Sequence, residues 1–300
     1  MNHKVDVLVV GAGPAGVSAA LYAKARGKEV LVLEAKRVGG LIGTVSLVSH
    51  YAALLGGETG PEFAQRLEAQ LQAAQIPLRY ERVTQFDLIG ETKVLTTDQA
   101  VYEAKAVVLA MGSSPKALPI EADGVQVFHE TLSQLDAVKD RVVFVAGGSD
   151  GAAKEALKLA QVAKKVILIQ DQPQLMMIHE FRQQIEGSER FEIHCASQIV
   201  GVEQENGLIS KVQVAHKNKG VSSFEEGPYF IFAFIGQKPN SEGLACLAQA
   251  DGYLKSVDGV KTEIPGVFVA GDLREKSVRQ VSTAVADGTL AGVLAAAYCA

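Results

Sequence analysis

Three glycines in the spacing G-x-G-x-x-G, Gly11, Gly13 and Gly16, precede a carboxylate at Glu34. Residues of these types at this spacing could hold the pyrophosphate and ribose of a dinucleotide. Gly11 permits a tight turn, Gly13 leaves the backbone bare where a pyrophosphate would approach, and Gly16 lets a helix lie close on a strand. A helix opening at Pro14 and Ala15 would aim unpaired N–H groups and a positive dipole end at the phosphates. Glu34 would accept the ribose hydroxyls. A tight turn that binds nothing is the competing reading, and the flanking elements argue against it.

Residues 5–10 are apolar except for Asp6 and read as a parallel strand buried on both faces. A helix rich in Ala and Leu follows from Pro14 to about Arg26, with Gly27 as its stop. A second apolar strand, residues 30–33, ends at Glu34. Gly39, Gly40 and Gly43 make a flexible connection to a helix from about Pro61 to Ala74, with Thr59 or Gly60 at its N-cap. Residues 78–80, 83–89, 93–97 and 101–104 read as one antiparallel ribbon. A buried strand at 106–110 then runs into Met111-Gly112-Ser113-Ser114-Pro115, a place for the chain to leave one domain for another.

Residues 142–169 repeat the opening pattern of strand, glycine turn, helix and strand. The turn reads Gly147-Gly148-Ser149-Asp150-Gly151, so the second fingerprint is Gly147, Ser149, Ala152, with serine at the central glycine. Its second strand ends in Gln170-Asp171-Gln172-Pro173, without the cation that a 2′-phosphate needs. Arg182 and the Lys164-Lys165 pair are the nearest cations in sequence. Two readings stay open: a weakened or altered nucleotide site, and a purely structural unit. On the first, NADPH binds poorly, NADH binds no worse than NADPH, and both can be weak.

A strand at 191–195 and a ribbon through Val214 and Ser223 lead to the apolar run 229–236. Gly236-Gln237-Lys238-Pro239-Asn240 reads as the return crossover. The tail holds a strand at 267–270, a Gly271-Asp272 turn and a long helix of small residues. The expected fold is α/β, with two Rossmann-like dinucleotide-binding domains, the second inserted into the first. Residues 1–115 and 240–300 would form one domain and 116–239 the other.

With 300 residues, 48% of them hydrophobic, the chain can build two cores. A net charge of −5 without a long basic run argues against nucleic acid as a partner. No uninterrupted apolar run reaches the ~18 residues of a membrane span, and the opening residues carry no signal-peptide pattern. Cys195, Cys246 and Cys299 are odd in number and far apart, which fits a reducing cytoplasm better than a disulfide framework or a metal site.

The order of glycine fingerprint, A-x-G crossover, inserted second unit and the segments IPGVFVAGD (264–272) and RQVSTAVADG (279–288) resembles the flavoprotein pyridine-nucleotide oxidoreductases. Within them it is similar to the thioredoxin-reductase-like branch, over essentially the whole chain. The resemblance implies one FAD per chain, an inserted NAD(P)-binding domain and a homodimer. It carries FAD contacts onto Gly11, Gly13, Pro14, Ala15, Gly16, Glu34 and Ala35. Further contacts fall on Gly40, Leu41, His50, Ala110 and Gly112, and on Gly271, Asp272, Arg279, Gln280, Val281 and Ala284. In that family the Asp of the G-D turn holds the ribityl chain, and the Arg-Gln segment faces the flavin's pyrimidine edge. A second, weak nucleotide site would use Gly147, Gly148, Ser149, Asp150, Gly151 and Gln170.

The departures are equally specific. The C-x-x-C pair that thioredoxin reductases carry before the second fingerprint is replaced here by a region containing Phe128-His129-Glu130-Thr131-Leu132. No cysteine precedes residue 195. Leu41 and Ser49-His50-Tyr51 replace the usual flavin-side residues. His50 reads either as a flavin neighbour able to supply a proton or as a polar loop residue. Tyr51 reads as a stacking or capping residue, Cys195 as an inert core thiol, and Met176-Met177 as a helix face on the core. The implied activity is electron transfer through FAD without a thiol relay, from NAD(P)H or reduced ferredoxin, with a ferredoxin- or flavodoxin-like protein as a partner. Direct reduction of a small disulfide or quinone is one rival, and a flavin-binding sensor or interaction module is another.

Overall fold

The computed structural model describes residues 2–52, 54, 57–120 and 124–300. The chain divides into two units. One comprises residues through Gly43, Val48–Ser114 and Lys238–Ala300; the other comprises Thr44–Leu47 and Pro115–Gln237.

The first unit opens with β1 (Asn2–Val10), α1 (Pro14–Lys24) and β2 (Val30–Glu34). Val7–Val10 and the whole of β2 are buried, and they pair in parallel from Val7↔Val30 to Val10↔Leu33. Pro14 at the first helical position starts α1, and Gly27, at φ +75°, supplies the left-handed residue after it. Helix α2 (Gly60–Ala73) is capped by Thr59, whose N–H donates to Glu62 Oε2 at 2.8 Å while its Oγ1 accepts from the Glu62 N–H at 3.4 Å. Strands β3 (Leu78–Tyr80), β4 (Val83–Asp87), β5 (Lys93–Thr97) and β6 (Val101–Leu109) follow.

Two features of this stretch differ from the sequence reading. Residues 78–80 do not join the antiparallel ribbon: β3 pairs in parallel with β2. Helix α2 is long enough to act as the crossover that parallel neighbours need. Residues 101–109 form one strand rather than two, since Lys105 turns its ammonium outward to Asp6 Oδ1 at 2.9 Å and leaves the strand unbroken.

A linker strand, β7 (Ser113–Pro115), leads to the second unit. That unit contains β8 (Val127–Phe128), β9 (Val142–Ala146), α3 (Asp150–Leu159), β10 (Lys165–Ile169), α4 (His179–Glu186) and β11 (Phe191–His194). Strands β12 (Ser197–Glu205), β13 (Leu208–His216), β14 (Gly220–Phe224) and β15 (Tyr229–Ala233) complete it. The returning strand β16 (Gln237–Pro239) pairs with β7. Finally β17 (Val267–Val269) rejoins the first sheet beside β6, and α5 (Val281–Tyr298) closes the chain.

The first sheet has seven strands, in the order β3-β2-β1-β6-β5-β4 with β17 beside β6. The second has eight, in the order β11-β10-β9-β15-β13-β12, with β14 on β13 and β8 on β15. Each joins a parallel α/β half to an antiparallel ribbon, which is the α/β architecture of two Rossmann-like units. Met176 and Met177 do not lie on a helix: α4 starts only at His179, so Met177 is buried from a loop and Met176 is exposed.

Among the described helices, α5 is long and apolar enough to cross a membrane by length and composition. Its small residues instead pack on α1. A Cβ on Gly288 would lie 2.0 Å from the Ala15 carbonyl oxygen, and one on Gly292 2.2 Å from that of Ala19. Ser18 Oγ and Thr289 Oγ1, 2.9 Å apart, join the same seam.

Candidate functional site

The first glycine turn sits at the carboxyl ends of β1 and β2. Gly11 has φ +103°, and a Cβ there would come within 2.3 Å of the Ala110 carbonyl oxygen, so glycine is required twice over. Its N–H donates to Leu33 O at 2.7 Å. Gly16 is required by packing alone, because a Cβ would meet Gly11 O at 1.8 Å. Gly13 is different: its extended backbone, φ −75° and ψ −179°, suits any residue, and a Cβ would touch only Gly39 O at 3.8 Å. Glycine at this N-cap keeps the surface before α1 bare. The loop after β2 folds onto the turn through the Gly39 N–H, which donates to Ala12 O at 2.8 Å.

Glu34 is buried at the tip of β2. Its carboxylate accepts from the N–H groups of Ala12 (2.8 Å), Lys36 (2.8 Å) and Arg37 (3.2 Å). Three donors fix both oxygens beside the turn, next to Ala35. Around Gly40 and Gly112 a Cβ would meet nothing within 4 Å, so both border open space.

The Gly271-Asp272 turn adjoins this cradle. A Cβ on Gly271 would lie 2.8 Å from Ala15 Cβ and 4.0 Å from Ala284 Cβ. The Gly271 N–H donates to Asp287 Oδ2 at 3.1 Å, and Asp287 also pairs with Arg274 (2.8 Å) and Lys276 (3.0 Å). Asp272 is left differently placed. Its Oδ1 is buried with no hydrogen-bond partner, and Lys276 Nζ stands 3.9 Å off. Burial pushes the Asp272 carboxyl above the ordinary carboxylate range, against the pull of Lys276 and Arg279. Arg279 stacks its guanidinium 3.8 Å from the centre of the Tyr253 ring, and its buried Nε also lacks a partner. Gln280 is the N-cap of α5, its N–H bonded to Thr283 Oγ1 at 3.1 Å, and Val281 is the first helical residue.

These residues fit FAD. A buried acceptor at Asp272 Oδ1 and a buried donor at Arg279 Nε stand unpaired where the resemblance expects ribityl hydroxyls and the flavin's pyrimidine edge. A bare turn and an anchored acid stand where it expects the pyrophosphate and adenosine. His50 is exposed at φ +56°, with Nδ1 3.0 Å from Ser49 Oγ, and Tyr51 meets Phe63 edge-on at 6.0 Å.

The second turn repeats the backbone hydrogen bonds of the first. Gly147 has φ +123°, a Cβ on it would lie 2.4 Å from Phe234 O, and its N–H donates to Ile169 O at 2.8 Å. Gly148 O accepts from the Met176 N–H at 2.8 Å, as Ala12 O does from Gly39. Ser149 has φ −87° and ψ 176°, the backbone of Gly13, so serine there leaves the turn undistorted. Asp150 Oδ1 accepts from the Ile178 N–H at 2.7 Å. Gly151 lies in the first turn of α3.

Sequence reading missed Glu155. This residue of α3 is buried, accepts from the Ser46 N–H at 2.8 Å and from the hydroxyl of the fully buried Thr131, and is pushed by burial above the ordinary carboxylate range. Its spacing from Ala152 and Leu159 puts it on the buried stripe of α3, a signal present in the sequence. Thr131 belongs to the segment where the resemblance expects a cysteine. All three cysteines are free; burial raises the thiols of Cys195 and Cys299, and Cys246 is exposed.

Residues 5–288 match the family model described as pyridine nucleotide-disulphide oxidoreductase. The thioredoxin reductase of Peptoclostridium acidaminophilum is 32% identical, over 99% of this chain and 98% of its own length. A 34.2 kDa protein in the rubredoxin operon of Clostridium pasteurianum is 26% identical, with 99% and 98% covered. The crystal structure of Lactococcus lactis thioredoxin reductase, in its FR conformation, matches with a TM-score of 0.93 at 25% identity, covering 99% of both chains.

Proposed function

We propose that this chain, which belongs to the pyridine nucleotide-disulphide oxidoreductase family and is an FAD-dependent oxidoreductase of thioredoxin-reductase type, moves electrons from a reduced donor to an acceptor without any thiol relay of its own. The observation that carries this reading is chemical. The segment that holds the redox cysteines in thioredoxin reductases here holds Thr131, bonded to a buried acid, and the chain has no cysteine before Cys195.

FAD, when bound, supplies two-electron acceptance from a hydride and release of electrons one at a time or in pairs. The protein binds and orients it. Gly11, Gly13 and the N-terminus of α1 would receive the pyrophosphate, Glu34 the ribose, Asp272 the ribityl hydroxyls, and Arg279 with the N-terminus of α5 the pyrimidine edge. The positive end of α5 and the guanidinium both favour negative charge at that edge. The relative from a rubredoxin operon supports a small electron-transfer protein as the acceptor. A homodimer is the assembly expected from the family.

The test uses FAD-loaded protein in which Cys195, Cys246 and Cys299 are all alanine. Anaerobic reduction by NADH, NADPH or reduced ferredoxin, followed as loss of the ~450 nm flavin band, should match the parent, as should reoxidation by a one-electron acceptor. A cysteine-free protein that takes up electrons but no longer delivers them would overturn the proposal.

A further inference from the structure

The family's usual donor, NADPH, does not fit the second cradle as this chain builds it. We infer that the cradle takes the unphosphorylated dinucleotide, NADH or NAD+, and discriminates against the 2′-phosphate; this rests on the oxidoreductase reading above and names its donor class.

The backbone needed for a pyrophosphate is intact. The positive φ of Gly147, the bond from Met176 to Gly148 and the extended N-cap at Ser149 all repeat the first cradle. Ser149 makes no capping bond with its side chain, so its hydroxyl is available to a phosphate oxygen.

A second observation points to a ligand. Gln170 follows directly on β10, at the place matching Glu34 at the end of β2, and it is only 5% exposed. Its amide lies flat on the turn: a Cβ on Gly148 would be 2.7 Å from Gln170 Cδ and 3.0 Å from Nε2. Among the described residues that side chain has no hydrogen-bond partner. In the first cradle the matching carboxylate is held by three backbone N–H groups; here a buried amide, both donor and acceptor, is left to bond ribose hydroxyls.

The electrostatics then select against the phosphate. A 2′-phosphate brings about two negative charges and is met by a guanidinium fork in sites built for it. The residues after Gln170 are the exposed Asp171 and Gln172. Of the cations nearest in sequence, Arg182 donates to the Leu175 carbonyl, and Lys165 stands at the far end of β10, paired with Glu192. Lys217 is linked to this corner through backbone bonds, its N–H to Ala196 O at 2.9 Å and the Ala196 N–H to Gln172 O at 2.8 Å.

The test is calorimetric titration of the FAD-loaded protein with NAD+ and with NADP+ at one salt concentration. Neither oxidised nucleotide reduces the flavin, so the readout is binding alone and is independent of the cysteine test above. NAD+ should bind at least tenfold tighter. A variant carrying Asp171→Arg and Gln172→Arg should tighten NADP+ at least tenfold without changing NAD+ affinity or FAD content. NADP+ binding as tight as NAD+ or tighter would overturn the inference, with Lys217→Ala then identifying whether that lysine supplies the cation. Failure of both nucleotides to bind at millimolar concentration would overturn it as well.

Discussion

Replacing Gly288 by alanine sets two effects of known size against each other. Alanine is favoured over glycine within a helix by about 1 kcal/mol. Against that, the new Cβ would lie 2.0 Å from the Ala15 carbonyl oxygen, 2.8 Å from its carbon and 2.9 Å from its Cα. All three are backbone atoms of α1, so no rotamer change relieves the contact and the helices must separate. Overpacking of this kind typically costs about 1–3 kcal/mol, and here it comes with loss of the Ser18–Thr289 bond. The clash should win, giving a net loss of about 1–2 kcal/mol, or roughly 2–8 °C in Tm for a unit of this size. Ala15 follows Pro14 at the cradle, so displacement of α1 should also lower FAD retention. Gly151→Ala is the internal control. It is the same substitution in the first turn of α3, where the nearest atom to a new Cβ is Ser149 Oγ at 3.9 Å, and it should be neutral or stabilising by up to about 1 kcal/mol. Thermal unfolding of the apoproteins and the 450 nm absorbance of purified protein read both effects. If Gly288→Ala were as stable as Gly151→Ala, the close packing of α5 on α1 would be refuted.

Asp272→Asn should stabilise the apoprotein near neutral pH by about 1 kcal/mol, since it removes a charge whose buried Oδ1 has no hydrogen-bond partner, while weakening FAD binding; urea titrations with and without FAD separate the two. Burial raises the Asp272 and Glu155 carboxyls in the folded state, so each contributes a stability that is lost as pH climbs from the ordinary carboxylate value through the folded one. Glu155→Gln should therefore gain stability relative to the parent between pH 4 and 8, and a constant difference across that range would contradict the buried-acid assignment. Thr59→Ala removes the cap of α2 and should cost about 1 kcal/mol in denaturant unfolding.

Both glycine cradles could be read from sequence because each is local. A turn, the helix after it and the acid or amide ending the next strand fall within about 30 residues, and the residue types are dictated by φ and by close approach. Gly11 and Gly147 needed a positive φ and a Cβ-free surface, and both needs are met where the spacing placed them. The buried apolar runs of β1, β2, β9 and β10 identified the parallel halves for the same reason.

What only the tertiary structure decided is non-local. A three-residue strand such as β3 carries too few side chains to specify its neighbour, so its pairing with β2 follows from the crossover through α2. Helix α5 has the length and composition of a membrane span, and the fit of Gly288 and Gly292 against the carbonyls of α1 shows it packed on protein. Spacing and resemblance marked Asp272, Arg279 and Gln170 as candidates and left Glu155 unmarked, but for none of the four did they tell burial. What distinguishes them is burial and the presence or lack of a partner, set by residues distant in the chain: Tyr253 under Arg279, Ser46 and Thr131 on Glu155, and Gly148 beneath Gln170. Sequence spacing fixes which backbone groups a turn can offer, whereas burial, and with it charge state and ligand preference, arises only when remote segments close over them.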